Sequence, residues 1–177
     1  MKLFRIVALT CAVLLTACSS TAPVSTTDES LSLVYGYFDM KDAPTKVQWV
    51  GLKQYAGKEI GTYRMGVEGG LFFHVGVEPG SYQVDKFGGS SFLRGDYTYN
   101  FGGKGRNSTA VRIQTPGVYF LGAHRYVAHE GKFDMQPAKS PTEKEVLQRL
   151  IKQLENDGSL AQYTRQLKLA RERLAQL

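Results

Sequence analysis

Three histidines, His74, His124 and His129, and two serines, Ser90 and Ser91, are the side chains of this sequence that invite a catalytic or metal-binding reading. A helical zinc site needs two histidines four residues apart, so that both imidazoles leave one face, and a cysteine or carboxylate to complete the set. No histidine pair has that spacing, and no Cys or acidic cluster brackets one, so neither a metal nor a cofactor is expected. His74 stands in the alternating stretch LFFHVGV, residues 71–77, as an edge or surface histidine would. Ser90 or Ser91 with His124 and Asp96 supplies the residue types of a nucleophilic triad. The Gly-x-Ser-x-Gly turn that holds such a serine exposed surrounds neither. The chain therefore reads as non-catalytic, with a hydrolase of unrecognised site as one alternative.

Residues 87–107, FGGSSFLRGDYTYNFGGKGRN, place two Phe-Gly-Gly phrases around a Tyr-rich stretch. The run GGKGR at 102–106 has the glycines of a phosphate cradle but lacks the Gly-Lys-Ser/Thr ending that puts a hydroxyl on the metal. Two readings stand. One is a binding loop that presents Tyr97, Tyr99, Lys104 and Arg106 to a glycan or a protein. The other is a long hairpin with glycine bulges.

The cysteines are Cys11 and Cys18. Lys2 and Arg5 precede an apolar run at 6–15, too short to cross a bilayer, and that run ends in Leu15, Thr16, Ala17 and Cys18. Leu-Thr-Ala-Cys resembles the lipobox of bacterial lipoproteins. The resemblance implies cleavage before Cys18, acylation of that cysteine, and removal of 1–17 as a signal peptide. Cys11 would leave with the signal, so no disulfide is expected within the mature chain. Residues 18–30 would form the lipidated Cys and a Ser/Thr-rich tether. Ser19, where an Asp would resemble an inner-membrane retention signal, implies the outer membrane, with the body facing the periplasm. The partner expected first is thus the membrane, through the N-terminal lipid. The 22 basic and 16 acidic residues are scattered without a basic run, so nucleic acid is not expected.

The elements that must position these residues come in two grammars. From 31 to 138 short Val-, Ile-, Tyr- and Phe-rich runs are punctuated by Gly-Gly and Pro-Gly pairs, which predicts an antiparallel β-sandwich or barrel. Strands are expected at 46–55, 71–77, 81–87, 108–115 and 117–126. One phrase occurs twice, VEPGSYQV at 77–84 and QTPGVYFL at 114–121. Pro at the first central position of a turn and Gly at the second predict a type II joint between neighbouring strands, with positive φ at Gly80 and Gly117. The first copy, with Gly70-Leu71-Phe72-Phe73 before it, resembles the Gly-x-Phe-x-Phe … Pro-Gly-x-Tyr passage of transthyretin-like and carboxypeptidase regulatory-like domains. That resemblance covers about 33–87 and implies an architectural role for the passage. The ending Arg-Leu-Ala-Gln-Leu departs from the Tyr-Arg-Gly-Ser of the family's hydroxyisourate hydrolases, so their chemistry is not implied.

From 139 to 177 the period changes to a helical hairpin. Val146, Leu147, Leu150, Ile151 and Leu154 share one face, and Leu160, Tyr163, Leu167, Ala170, Leu174 and Leu177 repeat at alternating threes and fours. That second stripe serves either the chain's own domain, the favoured reading, or a partner. The function expected from these features is a membrane-anchored envelope binding or structural-interaction module. A glycan or peptidoglycan binder using the aromatic, glycine-rich loop is the other non-catalytic reading.

Overall fold

The structure, a computed structural model, describes residues 29–43, 45–56, 62–91, 95–101, 103–129, 132–156, 158 and 163–177. Cys18, Leu160, the segment 1–17 and the tether to residue 28 lie outside the described residues. The elements are β1 (Ser32–Asp39), β2 (Trp49–Ala56), β3 (Thr62–Glu68), β4 (Leu71–Val77), β5 (Gly80–Ser91), β6 (Gly95–Asn100), α1 (Gly103–Ser108), β7 (Val111–Ile113), β8 (Val118–His129), β9 (Lys132–Pro137), α2 (Glu143–Asn156) and α3 (Thr164–Ala175). The fold is mainly β, with two C-terminal helices packed together.

The strands form one curled mixed sheet, a half-barrel, in the order β6-β5-β2-β3-β4-β1-β8-β9, with β7 also on β5. The expected antiparallel sandwich is corrected in two respects. β1 and β8 run parallel, Leu33 opposite Val118 and Asp39 opposite Arg125. In addition, β3 pairs with β2 through residues 62–66 and with β4 through Val67 and Glu68, so the two halves are one sheet. The parallel pair follows from the connection before β8, which returns the chain to the end where β1 begins: Leu33 N donates to Gly117 O at 2.9 Å.

Both Pro-Gly phrases are corners of this curl. The first leads from β4 to β5 and the second from β7 to β8, and neither pair of strands is hydrogen-bonded. The predicted type II joint between neighbours is therefore corrected, and neither Gly80 nor Gly117 has positive φ. Glycine at the first corner makes room instead. A Cβ on Gly80 would lie 3.0 Å from the ring of Tyr82 and 2.9 Å from the Gln54 amide. At the second corner the same Tyr ring would stand 3.4 Å away, an ordinary contact, and the Tyr119 hydroxyl donates across the corner to Thr115 O at 2.6 Å. A residue two places on in a strand faces the same side, so the tyrosine of Pro-Gly-x-Tyr folds back over its own glycine.

β1 is covered on both faces, which explains its unbroken apolar reading. Val34 and Phe38 point into the curl, where Phe38 packs on Phe72, Phe87 and Phe101 with ring centroids 4.9 to 5.7 Å apart. Leu33 and Tyr35 point outward to the helices, where Val146, Leu147, Leu150, Ile151, Leu154 and Ala170 cover them. Each of the fully buried leucines at 147 and 150 contributes about 1.5–3 kcal/mol of burial. α2 starts with a reciprocal cap: Thr142 N donates to Glu145 Oε2 at 2.7 Å and Glu145 N to Thr142 Oγ1 at 3.3 Å. A turn of α3 then holds both ends of α2, through Arg173–Glu143 at 2.9 Å and Arg171–Glu155 at 2.6 Å.

Two further expectations are corrected along the chain. The strand foreseen at 108–115 shrinks to β7, because Thr109 is turned inward to accept from Val84 N at 2.9 Å and to donate to Arg106 O at 2.7 Å. The glycine-rich passage holds the short helix α1, which touches β5 on one side and β8 and β9 on the other. It therefore bridges the open seam of the half-barrel.

Candidate functional site

His124 is a buried titratable group of the inner core, 1% exposed. Its Nε2 lies 2.7 Å from Ser108 Oγ at the end of α1, and the rings of Phe38 and Phe101 meet it edge-on. Burial pushes its pKa down to about 4. The partner is thus Ser108, and not Ser90 or Ser91, which lie on β5 with Ser90 bonded to Gln48. Asp96 lies on β6, paired in register with Ser90. A general base needs its second nitrogen held by a third group, and His124 Nδ1 has no hydrogen-bond partner among the described residues. A base with a pKa near 4 is also poorly matched to taking a proton from serine at neutral pH. The pair is arranged to tie α1 to the sheet. His74, on β4, lies against the Tyr63 ring at 4.9 Å, and burial lowers its pKa as well.

The structure divides the four residues of the glycine-rich passage. Tyr97 and Tyr99, on β6, turn inward and half-bury. Their rings are 5.7 Å apart, Tyr99 packs on Phe87 at 5.7 Å, and the Tyr97 hydroxyl donates to Lys46 O. With Met40, Val47 and Tyr126 they line a cleft of about 20 Å³, room for a single water and no sugar ring. Arg106, in α1, pairs with Asp85 at 3.4 Å and so braces the seam. Lys104 is in α1 as well, but its side chain lies outside the described ones.

The arrangement best suited to hold a ligand was not singled out by the sequence. Trp49 faces outward on β2, and its register partners on both sides are glycines, Gly66 on β3 and Gly88 on β5. The indole leans over Gly88, where a Cβ would stand 2.8 Å from it, whereas a Cβ at Gly66 would meet nothing within 4 Å. The Arg64 guanidinium stacks 4.4 Å from the ring centroid. In the next row Gly51 sits between Arg64 and Lys86, and Lys53 follows on the same face. Arg64 and Lys86 are exposed, and no ion pair is formed by these three cations among the described residues. The result is a cationic surface around one aromatic ring, with Gly51 buried beneath the indole and Lys86. A sequence signal existed in the glycines at 51, 66 and 88, but it points to a site only once three strands are aligned.

Of the helical stripe, Tyr163, Leu167 and Leu174 are half-buried against the outer core, and Ala170 is fully buried between them. α3 is described from Thr164, with Tyr163 at its N-cap position, and Leu160 of the stripe lies outside the described residues. No helix among the described residues is long and apolar enough to cross a membrane. No family model matches the chain, and neither curated proteins nor solved structures provide a match.

Proposed function

We propose that this chain is a bacterial envelope lipoprotein, acylated at Cys18 and held at the outer membrane, whose β body is a non-catalytic binding module. The ligand class it fits is an anionic envelope glycan, in keeping with a cell-wall role. A distant transthyretin-like origin for the passage 70–84 belongs to the same reading, supported by the corner that Pro79-Gly80-Ser81-Tyr82 forms. The observation that carries the binding reading is the platform of Trp49, Arg64, Lys53 and Lys86, on the outer face of β2, β3 and β5 away from the core that α2 and α3 cover. Guanidinium and ammonium donors beside one aromatic ring suit carboxylates or phosphates, while the ring edge offers an apolar contact to a sugar.

Trp49 is the sole tryptophan, so its fluorescence reports on the platform directly. Titration with a carboxylated oligosaccharide should shift or quench the emission, and neutral dextran should not. Arg64→Ala and Lys86→Ala should each weaken binding by about tenfold, the loss of one charge-assisted contact. Equal responses to charged and neutral saccharides, or unchanged affinity in both variants, would remove the glycan reading. Anchoring is tested separately. Cys18→Ala should abolish lipid labelling and leave the precursor uncleaved, and a wild-type chain processed at another residue would refute acylation.

A further inference from the structure

We infer that the half-barrel stands on the membrane by one defined end, the end that carries both Pro-Gly corners, and presents its Tyr97–Tyr99 end away from the lipid. This rests on the acylation proposed for Cys18, and the geometry supplies the direction.

The described chain enters the body under a clamp. Arg165, on α3, donates to Leu31 O at 3.1 Å and to Glu29 O at 2.8 Å, and β1 starts immediately afterwards. The registers place five further strand ends beside the start of β1. Ser32 lies opposite Val77, which leads into the first corner, and Leu33 lies opposite Val118, which follows the second. Gly80 lies opposite Ile113, and Ala56, at the end of β2, opposite Ser81. The opposite end holds Met40 after β1, Val47 before β2, and the Tyr97 and Tyr99 cleft.

Length then decides between the two ends. From Cys18 to Glu29 the chain advances eleven residues, and a flexible linker of that length would span about 18 Å. β1 alone, at eight residues, separates the two ends by about 26 Å. A lipid on Cys18 therefore reaches the membrane easily past the corner end. Bringing the far end down would require the tether to run nearly straight along the barrel wall.

The surface agrees with this direction. Among the described residues two large hydrophobic side chains are prominently exposed, Tyr55 at 48% and Leu177 at 41%. Tyr55 is next to last in β2, at the corner end. Leu177 follows Gln176, which lines a groove with Thr115, Pro116, Gly117 and Val118 of the second corner. An exposed tyrosine with an apolar body and a polar tip suits the headgroup layer. The occupant of this surface is therefore the lipid headgroup region itself.

The test uses the full acylated chain in vesicles of phosphatidylethanolamine and phosphatidylglycerol that carry a headgroup quencher. With Cys18 acylated and Cys11 removed with the signal, a cysteine introduced by Thr115→Cys or by Asp42→Cys can be labelled alone. Both positions are exposed, at the corner end and the far end respectively. Quenching should be severalfold stronger for the label at 115 than for the label at 42. Tyr55→Asp combined with Leu177→Asp should lower that ratio while the protein still floats with the vesicles. Equal quenching of the two labels in vesicle-bound protein would overturn the orientation and leave the anchor standing. A ratio unchanged by the double substitution would overturn the contact assigned to Tyr55 and Leu177. Failure of the wild-type chain to float with vesicles would overturn the acylation and the orientation together.

Discussion

The glycine of the repeated Pro-Gly-x-Tyr phrase shows how a residue can be required for a reason other than its backbone. A positive φ would have made both copies equally intolerant of a side chain. The observed reason is the tyrosine ring above the glycine, and the two copies differ in how closely it approaches. At Gly80 an added Cβ would meet that ring at 3.0 Å and the Gln54 amide at 2.9 Å, whereas at Gly117 the ring stands 3.4 Å away. Gly80→Val should accordingly destabilise by more than about 1 kcal/mol, as overpacking does, and Gly117→Val by clearly less. Thermal melts of the two variants beside the wild type check this. Equal losses would return the argument to a shared turn geometry. The same scale explains Trp49, whose indole needs the floor that Gly88 leaves open.

Among the elements, α2 and α3 are the ones whose role a substitution can settle. α2 buries a continuous stripe, while α3 buries Gln166 and Ala170 fully and Leu167 and Leu174 by half. Leu167→Asp would set an unpaired charge against the outer core, a cost of about 2–4 kcal/mol at a half-buried position. The monomer should melt markedly earlier, with no change in its sizing profile. A monomer of unchanged stability that lost a co-purifying chain would mean that the stripe serves a partner. The Tyr35 hydroxyl, Glu143 and Arg173 form a part-buried network in the same interface, with Tyr35 donating to Glu143 Oε1 at 3.1 Å. Burial and the neighbouring Glu143 carboxylate push the phenol pKa up, so the hydroxyl stays a donor throughout the physiological range.

At the scale of the whole molecule the open seam of the half-barrel is the weak point, and His124 makes its closure sensitive to acid. Burial holds the folded-state pKa near 4, below the unfolded value of 6.5, so the native state binds fewer protons than the unfolded chain between these values. The stabilisation is fully present above pH 6.5 and is lost as pH falls toward 4, by about 3 kcal/mol over that window. Melts between pH 7.5 and pH 4.5 should show this slope in the wild type and a shallower one in His124→Leu. His74, lowered in the same direction by burial, leaves part of the slope in place. Identical slopes in the two proteins would remove His124 from this role.

What the sequence determined by itself was local. The alternating runs, the corners at Pro79-Gly80 and Pro116-Gly117, and the buried face of α2 all follow from side-chain period and from the turn-forming residues, which act within a few positions. β3, β6 and β9 were not legible as strands, because Thr62–Glu68, Gly95–Asn100 and Lys132–Pro137 mix polar and glycine residues whose place depends on the strand beside them. Tertiary structure alone decided the parallel pairing of β1 with β8, the joining of two halves through β3, the meeting of Ser108 with His124, and the platform around Trp49. Period tells which face a side chain takes but not which strand lies next to it. Gly66, Trp49 and Gly88 become neighbours only when the registers of β3, β2 and β5 are set by the core that Val50, Leu52, Met65, Val84 and Phe87 fill beneath them.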